Sequence, residues 1–382
     1  MPRRTSVLAA TATAMALALA TGPLAAPALA SPGRTPVPCV AAQEGPDIAT
    51  LGAELAELPD ASATAATVRV GGTCTWSAAG GVRDVRTQAP AMEEARFRAG
   101  SVTKVVTASI VLQLAAEGRI SLDGTVQHYL PGLLDDAFEP ITVRQLLNYT
   151  SGLKPGSAQP GATVDESYPH RFETVTPREV VAASVAAGPG SAPGKRQSYS
   201  NIHYTVLGLL IEKITDDTYA HQAKVRVFRP LGMRHSSFPV GTDPRIHGPH
   251  NRGYDWIDGE LTDVTEWNMA DRWAAGDLIS TTADLEQLVK GLFSGRVVPE
   301  PQLKEMFTVP DIDGASFGAG LQRFELYGQE LWGKTGSRPG YATGIAATRD
   351  LSRTVVYSVN STEAKEDGQA VAERFGFPAF RP

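Results

Sequence analysis

Only two of the 382 residues are cysteine, Cys39 and Cys74. No group of cysteines and histidines has the spacing of metal ligands, so neither a metal nor a cofactor is expected. His247 and His250, on either side of Pro249, read as solvated surface. Blocks of lysine and arginine are also lacking. The formal net charge is −6, and an acidic chain without basic runs is a poor partner for nucleic acid. After the N-terminal stretch no apolar run reaches the roughly 20 residues that a bilayer span needs. Internal repeats are absent, which counts against a structural cell-wall protein.

What is present begins with an export signal. Arg3 and Arg4 form a basic start, residues 7–20 an Ala/Leu-rich core too short to span, and Ala28-Leu29-Ala30 a small-x-small cleavage site. Residues 1–30 are therefore read as a signal peptide and the mature protein as soluble, extracytoplasmic and monomeric. The arginine pair raises a twin-arginine route, although the rest of that pattern is poor. Losing two arginines and no acid takes the net charge from −6 to −8. In an oxidising compartment Cys39 and Cys74 make a reasonable disulfide, tying an N-terminal arm (31–44) to the first hairpin. The chain from residue 45 is long enough for a large core.

The stretch Arg98-Ala99-Gly100-Ser101-Val102-Thr103-Lys104 organises that part. Ser101 and Lys104 stand three apart at the head of an apolar run: Val105, Val106, Ile110, Val111, Leu114, Ala115. The run recurs at helical spacing and stops at Glu117-Gly118, a C-cap signal. The serine thus lies near a helix N-terminus, with the lysine one turn on and on the same face. A serine hydroxyl is a poor nucleophile until a base takes its proton. Backbone N–H groups at a helix start favour developing negative charge. Ser101 is read as an acyl-accepting nucleophile and Lys104 as its activating partner. A second Ser-x-x-Lys, Ser151 to Lys154, sits in turn chemistry and is read as chance.

Around this stretch the chain alternates in character. Asp47 caps a helix with Ile48, Leu51, Leu55 and Leu58 inward. Residues 65–70 and 73–79 are strand-like and joined at Gly71-Gly72. Gly80-Gly81 opens a turn-rich connection to Phe97. Helices are predicted over 142–147, 177–187, 202–214 (amphipathic, Leu207, Leu210, Ile211 and Ile214 inward), 282–293 and 364–375. The Gly/Pro/Ser-rich stretch 155–162 is a mobile loop or a groove wall. Residues 331–333, 341–347 and 354–360 are β-rich. The fold class expected is α/β of the α+β type: an antiparallel sheet built from both chain ends (45–119 and 294–382), flanked by helices, with a mainly helical insert (120–293).

Two further stretches carry chemistry. In Gln197-Ser198-Tyr199-Ser200-Asn201, Ser200 or Asn201 is a good N-cap. Alternatively Tyr199 is a phenol whose ionised form a nearby ammonium favours, able to relay a proton. In Trp332-Gly333-Lys334-Thr335-Gly336-Ser337, the glycines leave room for a ligand beside the backbone. Lys334 and Thr335 suit a substrate carboxylate. The alternative is an edge strand guarded by lysine. Ser-x-x-Lys, a Ser-x-Asn-type element and Lys-Thr-Gly in this order form one acyl-transfer site.

On these residues the chain resembles the penicillin-recognising serine hydrolases, the group of D-alanyl-D-alanine carboxypeptidases and class C β-lactamases. Tyr199-Ser200-Asn201, Thr150-Ser151-Gly152-Leu153, Pro230-Leu231-Gly232-Met233 and Ala275-Gly276-Asp277-Leu278-Ile279-Ser280-Thr281 are further family-like blocks. The resemblance implies that Ser101 is acylated, that Lys104 and Tyr199 share the proton transfers, and that Asn201 orients the substrate amide. Lys334 and Thr335 would hold the carboxylate, and the N–H groups of Ser101 and Ser337 would form the oxyanion hole. The carboxypeptidases usually carry His where Lys334 stands, and an Arg shortly before that strand; here Arg323 is the candidate. The substrate implied is a peptidoglycan stem peptide, with penicillins as acylating ligands. A β-lactamase, an esterase or a D-aminopeptidase would use the same parts. A non-catalytic β-lactam or peptidoglycan sensor is the reading from another class.

Overall fold

Asp47 starts the first helix as its N-cap: its Oδ1 accepts from the Thr50 backbone N–H at 2.9 Å. In the computed structural model this helix, α1, runs Ile48–Ala56 and buries Leu51 and Leu55. The structure describes residues 37–39, 45–156, 160–363 and 368–381. The chain divides into Met1–Thr35 and Pro36–Pro382. The signal peptide, most of the 31–44 arm, residues 157–159 of the expected groove wall and 364–367 of the last helix lie outside the described residues.

The first hairpin forms as expected but runs longer. β1 is Ala63–Gly72 and β2 is Trp76–Asp84. Gly80-Gly81 lies inside β2 rather than ending it. Gly80 is required because α1 packs on it, a Cβ there sitting 2.0 Å from the Leu55 carbonyl oxygen, and Gly81 because its φ is +83° and a Cβ would sit 2.2 Å from the Thr64 carbonyl oxygen of β1.

Among the described residues the main sheet has seven antiparallel strands. β3 (Ala89–Pro90) lies at one edge, and the C-terminal part supplies β4 (Gln322–Leu326), β5 (Gln329–Arg338), β6 (Tyr341–Thr348) and β7 (Arg353–Ser361). The spatial order is β3-β2-β1-β7-β6-β5-β4. The two chain ends meet where β1 pairs with β7, Val68 opposite Tyr357. This is the sheet expected from the sequence. β4 was not expected, since only Phe324 and Leu326 are apolar in it. A further hairpin, Tyr254–Ile257 with Glu260–Asp263, was also missed.

Helices cover both faces. On one side α1 and the last helix, α7 (Gly368–Phe375), enclose a core of Leu51, Leu55, Val68, Val359, Phe375 and Phe380. The other side carries the larger core, formed by α2 (Thr103–Ala116), α3 (Val143–Leu147), α4 (Pro177–Ala186), α5 (Ile202–Thr215) and α6 (Thr282–Phe293). Thr142, Thr176 and Thr281 cap α3, α4 and α6 through their hydroxyls. α6 falls within the stretch 120–293 but packs on β1, β6 and β7 of the sheet. α5 departs from the amphipathic expectation, because every residue from Ile202 to Ile211 is buried. It lies among α2, α3 and α4, so no face is left for solvent. No helix among the described residues is long and apolar enough to cross a membrane.

Cys39 and Cys74 form a disulfide 35 residues apart in sequence. It joins the arm to the β1–β2 connection, where Cys39 N–H also donates to the Thr75 carbonyl at 2.9 Å. Closing a loop of that length removes unfolded-state entropy equivalent to about 4 kcal/mol. Reduction, or Cys39→Ser with Cys74→Ser, is expected to lower the denaturant midpoint accordingly. Equal midpoints with and without reductant would refute it.

Candidate active site

The chain enters the site through Phe97-Arg98, which pair with Ile279–Ser280. A 3-10 turn, Gly100–Val102, then leads into α2. The turn sets Ser101 at the mouth and Lys104 one turn deeper, where the lysine is fully buried. Lys104 Nζ lies 3.0 Å from Ser101 Oγ, 2.7 Å from Asn201 Oδ1 and 2.6 Å from the Ala275 carbonyl oxygen. No carboxylate is among these partners. Burial pushes the Lys104 pKa well below its usual value, helped by the positive charges of Lys334, Arg272 and Arg338. The neutral amine fits the three partners. Two of them only accept, so the two N–H groups go to Asn201 and Ala275. The lone pair is left for the Ser101 O–H.

Asn201 therefore does not cap α5: it makes no capping bond, and its side chain serves Lys104 instead. Tyr199 is hydrogen-bonded to Ser101, and desolvation pushes its pKa up to about 12 despite that bond. This corrects the expectation of a favoured phenolate. Burial outweighs both the Ser101 bond and the positive charge of Arg272, so the phenol stays protonated. One face of the Tyr199 ring packs on Tyr149, centroids 4.9 Å apart, while the residue as a whole is 40% exposed to the cleft.

β5 forms the opposite wall. β4 covers it only as far as the pair Gln322–Gly333, so from Lys334 onward its edge is open. Lys334 is buried, which rules out a solvated guard for an edge strand. Its Nζ donates to the Thr335 carbonyl at 2.7 Å and sits 4.8 Å from the Tyr199 ring centroid. Burial brings its pKa down to about 7. Thr335 follows it on the strand and is exposed. Beyond it the strand presses on the nucleophile turn. A Cβ at Gly336 would lie 2.1 Å from the Ala99 carbonyl oxygen and 2.8 Å from Ser101 N, and one at Gly100 would lie 2.5 Å from Ser337 N. The nucleophile turn and β5 thus meet in backbone contact at Ser101 and Ser337, the two residues whose amides an oxyanion hole would use.

Ser101, Tyr199, Lys334, Thr335 and Ser337 line one cleft of about 450 Å3, with Phe317 and Gln322. Arg323 does not join them. It alternates with Gln322 on β4 and is exposed; the neighbour, Gln322, is the residue that faces the cleft. The second Ser-x-x-Lys is spent on structure: Ser151 Oγ accepts from Leu153 N, and Lys154 Nζ donates to the Ala187 carbonyl. The described residues that line the cleft include no carboxylate. None of the described residues forms a cluster suited to a metal ion.

Several contributors escaped sequence reasoning. Ala275 acts through its carbonyl, which no side-chain pattern reveals. Arg338 was legible in principle: it shares the inward face of β5 with Lys334 and Gly336, where a charge needs a partner. That partner is Asp271, 3.3 Å away, at the head of the segment that delivers Arg272 and Ala275.

Comparison with known proteins agrees with this geometry. The family model described as Beta-lactamase matches residues 53–374. A D-stereospecific amidohydrolase from Streptomyces sp. is 31% identical with a TM-score of 0.76, covering 86% of this chain and 98% of that one. The D-amino acid amidase from Ochrobactrum anthropi, complexed with D-phenylalanine, is 24% identical with a TM-score of 0.72, covering 87% and 97%. Among curated proteins, Protein flp of Staphylococcus aureus is 29% identical over 215 residues, 55% of this chain. The match spans only 41% of that relative's length.

The contact between β5 and the nucleophile turn gives a direct test. Gly336→Ala puts a methyl into backbone atoms of Ala99 and Ser101, so one wall must shift. Displacing an oxyanion donor costs about 100-fold in kcat. A loss of that order in acylation rate per folded molecule is expected, with the thermal midpoint lowered as well because the contact is overpacked; an unaltered rate would show that the two walls are not functionally coupled.

Proposed function

The chain belongs to the Beta-lactamase family of serine hydrolases, and we propose that it cleaves amide bonds of D-configured peptides through an acyl-enzyme on Ser101. The observation that supports this best is the buried Lys104 amine, 3.0 Å from Ser101 Oγ and held by two acceptor-only groups. In the proposed reaction Lys104 takes the Ser101 proton as Oγ attacks the carbonyl carbon. The oxyanion is met by the N–H groups of Ser101 and Ser337. Tyr199, a neutral phenol, gives its proton to the departing nitrogen and regains one from the Lys104 ammonium. Water then attacks the ester, giving its proton to the same groups, which return one to Ser101 Oγ as its bond to the acyl carbon breaks and the acid departs. Asn201 holds Lys104 and offers its amide N–H to the substrate.

Charge in the cleft favours a carboxylate on the substrate. Lys334 lines it and no carboxylate does among the described residues; Arg272, paired with Asp271 at 3.1 Å, bears on Tyr199 and Lys104 from behind. A D-alanyl-D-alanine carboxypeptidase, acylated by penicillins, is the first reading on that ground. The likeness to a D-stereospecific amidohydrolase favours a second, an amidase of D-amino-acid amides. The N-terminal stretch adds that the protein is exported and acts outside the cytoplasm.

Mixing the protein with benzylpenicillin and following mass gain and drug hydrolysis tests the chemistry. Acylation is expected on Ser101 and lost in Ser101→Ala; label persisting on that variant would sink the assignment. Tyr199→Phe is expected to slow acylation by about 100-fold or more. A second test is the pH profile. kcat/KM rises as Lys104 loses its proton with increasing pH. For a carboxylate-bearing substrate it falls again near pH 7, where Lys334 is neutralised. For a D-amino-acid amide the falling limb is absent. Lys334→Met abolishes that limb, and its survival in this variant would remove Lys334 from carboxylate binding.

A further inference from the structure

Three aromatic rings meet at the catalytic tyrosine. Phe317 lies 5.3 Å from Tyr199 and 5.1 Å from Tyr149, centroid to centroid. The rings come from three separate segments, and one side chain ties all three together. Gln197 sits two residues before Tyr199. Its Nε2 donates to the carbonyl oxygens of Asn148 and Phe317, both at 2.8 Å. Its Oε1 accepts from Ser316 N at 2.8 Å and Phe317 N at 3.0 Å. Both donors and both lone pairs of the amide are used. The partners also fix its orientation, because a flipped amide would set N–H against N–H and oxygen against oxygen.

The segment it holds opens β4. Phe317 bridges to Gln322, and Arg323 N donates to the Ser316 carbonyl at 2.7 Å. Phe317 therefore stands on the rim of the cleft, half-buried, with Lys334 Nζ 5.9 Å from its centroid. Ala342, Tyr357 and Val371 line the cleft too, but Phe317 is the apolar ring packed on Tyr199, and no step of the proposed reaction uses it.

We propose that Phe317 is the specificity wall of the cleft, selecting substrates whose substituent next to the reacting carbonyl is apolar and preferably a ring, and that Gln197 is the positioning residue that fixes it. The inference rests on Ser101 being the acyl-accepting nucleophile. Ring-on-ring contact supplies the selection, and saturation of the Gln197 amide supplies the rigidity.

Two activated esters with a common leaving group read the wall: p-nitrophenyl phenylacetate and p-nitrophenyl acetate. Phe317→Ala is expected to lower the kcat/KM ratio of the first to the second by about ten-fold, mostly through KM. Phe317→Leu recovers part of it. Gln197→Leu, which removes all four bonds, and Gln197→Glu, which replaces the two donors with an acceptor, are expected to lower the same ratio. Combined with Phe317→Ala, either adds nothing further. Ratios measured on one preparation cancel losses of folded protein. A ratio unmoved by Phe317→Ala overturns the wall, and one moved by Phe317→Ala but not by the Gln197 variants overturns the positioning role. Ester hydrolysis that survives Ser101→Ala would instead count against the nucleophile. In that event binding of phenylacetamide to Ser101→Ala, followed by ligand-observed NMR, reads the wall without chemistry. Binding weakened about ten-fold by Phe317→Ala supports it, and equal binding overturns it.

Discussion

A lysine buried without a carboxylate is the constraint on which this site depends. Burying an ammonium in so dry a place would cost several kcal/mol, and none of its hydrogen-bond partners is negatively charged. The group escapes the cost by giving up its proton. What remains is an amine with two N–H groups and one lone pair, and the fold must meet that inventory. Asn201 and Ala275 supply two acceptors from two different segments, and the third direction is left to Ser101. The base is thus defined by what surrounds it. Any acid placed near it would restore the ammonium and spoil the chemistry, which is consistent with the charges that bear on Lys104 being all positive.

Several elements are arranged to keep that inventory in place. α2 is buried without a break from Thr103 to Leu112, so Lys104 sits fully enclosed beside Ser101. Asn201 sits at the head of α5, itself enclosed by α2, α3 and α4. The segment from Asp271 to Leu278 brings the Ala275 carbonyl inward. Asp271 is gripped by Arg338, and the Leu278 N–H donates to Thr103 Oγ at 3.0 Å. Arg338 belongs to β5, the strand that also bears Lys334 and Ser337. One strand therefore presents the substrate-facing groups and anchors the loop behind the base.

How much of this the sequence discloses depends on what kind of interaction is involved. Period and capping disclose helices well: Asp47, Thr142 and Thr281 all cap where expected. The long apolar strands β1, β5, β6 and β7 were legible for the same reason. β4 was not, because its five residues alternate too briefly to register. The 254–263 hairpin carried a strong signal that was passed over, an Asp258-Gly259 turn between two short strands; its charged flanks disguised it. At the site, residue types bearing chemistry were legible through their order and spacing. Contributions made by backbone atoms, such as the Ala275 carbonyl, were not. Arg323 shows the limit of reading position alone. One step along a strand reverses the face, and the cleft takes Gln322.

Under the proposed chemistry, burial also makes the site respond to the charge of its substrate. The two lysines are depressed by the same low-polarity surroundings, but they stand on opposite sides of the nucleophile. Burial depresses Lys334, and the charge Lys334 carries when protonated adds to burial in depressing Lys104. When a carboxylate enters beside Lys334, it favours the proton there. The positive charge then created lowers the basicity of Lys104 further and keeps it an amine. A carboxylate substrate in this way prepares the base that attacks it, drawing a proton from solvent above pH 7. A neutral amide substrate brings no such charge and must find Lys104 already deprotonated. Preference between the two substrate classes therefore follows from the proton held by Lys334 rather than from any difference in the nucleophile.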